Sequence, residues 1–199
     1  MKQFNGYEDA KKQAQFTGGS RLPVGSYVCK IMGVRYEEGT DGKSDLITLQ
    51  FDILEGEQKD FFRKQYEANQ AEDKKWKGTA LVYVPRDDGT EKDAWTKRAF
   101  AGWIDAFEKS NSGYTWTWDE NTLKGLTVGI VFGETGTVIN GKEIKYTEAR
   151  FGIDAARVRN GNVPTAKFKA KNGYGKGLPS GDSEKDFMEI TKDIEDFPF

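Results

Sequence analysis

The sequence contains no histidine. That absence removes the commonest general base near neutral pH and the commonest zinc ligand. Ser-His and Cys-His nucleophile chemistry is excluded with it. A single cysteine, Cys29, rules out an intramolecular disulfide framework and any cysteine-rich zinc site. No apolar run approaches the roughly 18 residues of a membrane-crossing helix. The opening stretch "MKQFNGYEDAKKQAQF" lacks the apolar segment of a signal peptide, so a cytoplasmic location is expected. Prolines are scarce, 5 against 23 glycines in 199 residues, which suits a body of strands and turns. Carboxylate-only metal chemistry, or no chemistry, remains.

What is present is unevenly charged. From Gly181 to Phe199 seven acids stand against two lysines, a net −5 that leaves +3 on the rest of a chain whose formal charge is −2. A mildly basic body with an acidic end hints at a nucleic-acid partner for one part and a separate role for the other.

The hydropathy pattern predicts a mainly β fold. Residues 24–37 read as a strand, 38–44 as a turn cluster, and 45–54 as a second strand with Ile47, Leu49, Phe51 and Ile53 on one face. Residues 59–67, "KDFFRKQYE", read as a third strand that sets Phe62, Lys64 and Tyr66 on one face; "TALVYV" (79–84) is a further strand candidate. The period then changes: residues 90–113 form a helix, with Trp95, Trp103 and Phe107 on its apolar face and Thr90 with Asp93 at capping-box spacing. A short helical turn is expected at 119–125. Strands at 126–134 and 142–153 follow, joined through Asn140-Gly141. The order β-β-β-α-β-β is that of the five-stranded oligonucleotide-binding barrel, the OB-fold. The expected division is a flexible arm (1–21), the barrel domain (22–159), a disordered basic linker (160–181) and an acidic tail (182–199).

A barrel that handles single strands needs cations for phosphates and aromatics for bases. The candidates are Arg35 and Tyr36 at the end of strand one; Phe62, Arg63, Lys64 and Tyr66 on strand three; Trp76 within "KKWK"; Lys145, Tyr146 and Arg150 on the last strand; and Arg157 and Arg159 beyond it. From residue 155 to 181 there are six cations and no acid, fit for a phosphate backbone or for a solvated linker. Aromatics at alternate strand positions are most often core; Trp95, Trp103, Phe107, Leu126 and Phe132 are read that way, and Trp116 and Trp118 are left open. Carboxylate pairs such as Asp87-Asp88 or Asp41 with Asp45 leave a metal-dependent nuclease as an alternative, and a barrel serving only as scaffold is another.

The stretches "LPVGSYVCKIMGV", "DLITLQFDILEGEQKDFFRKQY", "AFAGWIDAFEKSNSGYTW" and "LKGLTVGIVFGE" resemble single-stranded DNA-binding proteins of phages, prophages and related mobile elements of Gram-positive bacteria. The likeness runs from Leu22 to Arg159; residues 67–90 are less typical. The resemblance implies an OB-fold, sequence-independent binding of single-stranded DNA in a bacterial host cell during replication or recombination, no enzymatic activity and no cofactor. It also implies that the ending "DIEDFPF" is a hook: Asp193, Glu195 and Asp196 steer toward a basic rim, and Phe197, Pro198 and Phe199 dock on a replication or recombination protein. No membrane partner is expected, and homo-oligomer formation is left open.

Overall fold

The computed structural model describes residues 21–40 and 42–175. The fold is mainly β. Strands β1 (Gly25–Glu37), β2 (Leu46–Ile53), β3 (Thr79–Tyr83), β4 (Thr127–Ile139) and β5 (Lys142–Ile153) lie in the order β3-β2-β1-β4-β5, each antiparallel to its neighbour. A two-residue strand β6 (Lys169–Ala170) adds to β4 in parallel, giving a six-stranded mixed sheet. Helices α1 (Phe61–Ala68), α2 (Glu91–Ser110) and α3 (Ala155–Arg159) and a 3-10 turn (Glu120–Leu123) complete the chain. The fourth strand returns to lie beside the first, the arrangement of a Greek key. No helix among the described residues is long and apolar enough to cross a membrane.

Residues 59–67 are not a strand. They enter α1, and the reason lies in β2. Asp52 is 7% exposed, and its carboxylate accepts the backbone N–H groups of Phe62 (3.0 Å) and Arg63 (3.1 Å). Those are orphan donors of a helix start, and the local cap residue Asp60 makes no such bond. A carboxylate from another element therefore fixes where α1 begins. The third strand is the later candidate, Thr79–Tyr83, which alternates strictly: Ala80 and Val82 are buried, Leu81 and Tyr83 exposed.

Helix α2 starts as its sequence predicts. Thr90 accepts the N–H of Asp93 at 3.1 Å. The Asp93 side chain turns the other way, accepting the N–H groups of Arg86 and Asp87 and pairing with Lys97 at 3.0 Å. Phe100, Trp103 and Phe107 point from α2 into the core with Phe51, Ile130 and Phe132. Trp103 lies so close to Gly152 of β5 that a Cβ there would meet its ring at 2.5 Å. Phe132 is 2% exposed, as expected for core; Trp95 and Leu126 are only half-buried.

Of the stretch 160–181 expected as a linker, residues 169–174 are tied to β4, and 176–181 lie outside the described residues. β1 borders β4 from Thr127 to Phe132, and β6 takes the same edge further along, at Thr135 and Gly136. Lys171 N–H donates to the Gly136 carbonyl at 2.8 Å, and the Tyr174 ring lies against Gly136, where a Cβ would come within 2.7 Å. The predicted Asn140-Gly141 turn joins β4 to β5 with positive φ at both residues, the backbone of a tight hairpin.

Candidate functional site

Two neighbourhoods gather exposed aromatic and cationic side chains. The first is the outer face of β1-β2-β3. Pairing sets Arg35, Thr48 and Leu81 in one row, Glu37, Leu46 and Tyr83 in the next, and Gly33, Gln50 and Thr79 in the row before. Leu81 and Tyr83 are more than half exposed. Sequence reading missed both, although the alternation in "TALVY" carries the signal. Arg35 is exposed and pairs with Glu37 at 2.7 Å. Tyr36 stands at the strand end, where its hydroxyl donates to Asp45, and that bond pushes its pKa up to about 12. Asp45 also accepts the Gly39 N–H, so the β1–β2 loop is held to its own base.

The second neighbourhood is where β4, β5 and β6 meet. Lys145 is exposed, pairs with Glu134 at 3.2 Å, and has its ammonium 5.5 Å from the centre of the Phe168 ring. Arg150 is not at the surface. Its side chain is 8% exposed and donates to Glu148 (2.6 Å), the Glu134 carbonyl (2.8 Å) and Thr135 (2.7 Å). Lys171 reaches the other oxygen of Glu148 at 2.9 Å and the Tyr146 hydroxyl at 3.3 Å. Burial alone would raise the Glu148 pKa, but Lys171 and Arg150 outweigh it and hold the group below the usual carboxylate range. Lys169 is pushed down by burial and by the neighbouring charges of Lys171 and Arg150.

The α1 residues are placed differently from expectation. Phe62 is 8% exposed, edge-on to Phe51 at 5.5 Å, and belongs to the core. Trp76 donates its indole N–H to the carbonyls of Phe51 (3.0 Å) and Gly78 (3.1 Å), so it too is half-buried support. Tyr66 leans on Trp76 at 5.8 Å and carries the Lys74 ammonium 4.7 Å above its ring. Arg63 pairs with Asp60, and Lys64 donates to the Lys59 carbonyl. On α3, Arg157 is exposed and donates to the Asn162 carbonyl, while Arg159 forks onto Glu55 at 2.7 and 3.1 Å. Most of the candidate cations are thus paired within the chain. An exposed pair is worth only about 0–1 kcal/mol, so a phosphate can displace it; the Arg150 pair is buried and serves the fold.

The Cys29 thiol is fully buried, and burial raises its pKa well above the ordinary value, which leaves it inert. Among the described residues no group of three or more His, Cys, Asp or Glu side chains is placed to hold a metal ion. The tail residues Asp193, Glu195, Asp196, Phe197, Pro198 and Phe199 lie outside the described residues. No protein-family model matches the chain, and no curated protein matches it.

Proposed function

We propose that the chain is a non-catalytic, sequence-independent single-stranded DNA-binding protein of phage or mobile-element replication and recombination. The observation that carries this reading is the strand order. Three antiparallel strands are followed by a long helix and then a hairpin whose first strand returns beside β1. That order supports an OB-fold reading, under which the β2–β3 face and the loops between strands bind oligonucleotides. The same face here presents Tyr83 and Leu81 on β3 and, across β2, Arg35 on β1, which would give a ring for stacking and a cation for phosphate. Lys145 and Lys171, in exposed or half-buried pairs with Glu134 and Glu148, and the exposed Lys167 add cations that phosphates could engage. The acidic stretch with Phe197, Pro198 and Phe199 supports recruitment of a partner protein, the rings filling an apolar pocket while the acids meet a basic rim.

The test is a binding and integrity assay on labelled oligo(dT) with Mg²⁺ present. The proposal expects shifted, intact DNA; cleavage would favour a carboxylate-metal nuclease, and no shift would leave only a scaffold. Partner recruitment is tested separately by removing Pro198 and Phe199. That change should leave oligo(dT) affinity unchanged and abolish capture of a replication protein by the full-length chain.

A further inference from the structure

Trp118 is the most exposed large apolar side chain among those described, at 78%. It is also one of the few non-glycine residues in left-handed backbone, with φ 62°. A bulky residue seldom adopts that conformation, and such strain concentrates at functional positions. The indole is not loose. It lies nearly parallel to Phe100 of α2, centroids 6.1 Å apart and planes 13° apart, and Trp116 lies 6.2 Å from both rings, closing a triangle with them. The loop beneath is pinned: Asn111 bonds the Phe107 and Thr127 carbonyls and the Thr127 N–H, and the Tyr114 hydroxyl bonds Thr122. One indole face is thus held open to solvent by a rigid frame, which lowers the entropy cost of docking on it.

The surrounding charge decides what docks. Glu108 accepts the Trp116 backbone N–H at 2.9 Å, Asp119 follows Trp118 directly, and Glu120 follows that. On α2, Lys97, three residues before Phe100, is committed to Asp87 and Asp93. For a phosphate-bearing ligand, stacking on the ring and repulsion by the carboxylates oppose each other. For a cationic ligand, the ring quadrupole and the carboxylates act in the same direction. The chain makes that contact itself elsewhere: the Arg98 guanidinium lies 4.9 Å over the Trp95 ring.

We propose that Trp118, backed by Phe100 and Trp116, anchors a docking surface for a basic segment of a protein partner, with an arginine or lysine side chain laid on the open indole face. The surface is distinct from the C-terminal tail and does not rest on the DNA-binding reading.

The probe is a fluorescein-labelled nonapeptide of alternating Arg and Gly, titrated into the full chain at low salt and followed by anisotropy. The comparison is Trp118→Gly, which removes the ring and relieves the backbone. The acidic tail contributes equally to both proteins, so their difference reads this surface alone. The peptide should bind the variant at least threefold more weakly, while the variant melts at the wild-type temperature or above. In a ¹H–¹⁵N spectrum the indole signal missing from Trp118→Gly should move on adding peptide to wild type and stay put on adding oligo(dT). A smaller loss of peptide affinity overturns the proposal. A lower melting temperature or failure to fold would show that the indole is structural, and movement with oligo(dT) would make it a base platform; either result also overturns it.

Discussion

Arg150 and Tyr83 stand for two kinds of residue that composition alone does not separate. The Arg150 guanidinium is buried against Glu148, Thr135 and the Glu134 carbonyl. Breaking a buried pair by removing one member typically costs 3–5 kcal/mol. Glu148 keeps Lys171 as a partner, so Arg150→Met should cost about 2–3 kcal/mol in denaturant unfolding. Tyr83 is 54% exposed on the sheet face and makes no core contact of comparable depth. Tyr83→Ala should weaken oligo(dT) binding by about 1–3 kcal/mol if the ring stacks on a base, with the melting temperature almost unchanged. Phe62→Ala should do the reverse. The ring sits among Phe51, Phe61 and Phe132, so its loss should cost roughly 3–5 kcal/mol of stability, read by denaturant titration.

Among the elements, α1 and β6 depend on groups that belong to other elements. Asp52, near the end of β2, caps α1, and Asp52→Ala should leave two helix N–H groups unpaired. The expected loss is about 1–2 kcal/mol, with hydrogen exchange fastest in residues 61–68. β6 is held in part by Lys171 on Glu148, a carboxyl group held below its ordinary value. A depressed carboxylate contributes stability that is complete above its unfolded value, about 4.3. That contribution fades as the pH falls through the lower folded value. Acidification below about pH 4 should therefore release residues 164–175 before or together with global unfolding, and Glu148→Gln should remove the pH dependence of that release. These two elements are also the ones that sequence patterning misplaced. Phe62 and Tyr66 are four residues apart, a spacing that puts them on one face of a strand and on one face of a helix alike. Only the buried Asp52, which belongs to another strand, decides between the two. In β6 no apolar period exists to be read, because a two-residue parallel pairing and an ion pair hold the segment in place of a buried stripe. By contrast α2 was legible to its first residue, since its cap and its apolar face lie within the segment itself.

Over the whole molecule, the sequence of three strands, a long helix and a hairpin was legible once the third strand is placed at Thr79–Tyr83. The candidate face was legible only in part. Arg35 and Lys145 are at the surface as read, but Leu81 and Tyr83 become neighbours of Arg35 only through the β1-β2-β3 register, which no single segment encodes. The acidic end and the basic body lead to opposite salt effects on one ligand. Removing residues 181–199 deletes a net −5. Affinity for oligo(dT) should then rise, most visibly at low ionic strength where charges are least screened. Under the proposed function the body binds single-stranded DNA through cations and stacked rings. The most direct test of that function is the anisotropy of labelled oligo(dT) titrated with the full chain at several salt concentrations. Binding should be saturable, with log K falling linearly with log salt at a slope near −0.7 for each phosphate neutralised and several phosphates engaged. No saturable binding, or an affinity that does not change with salt, would contradict it.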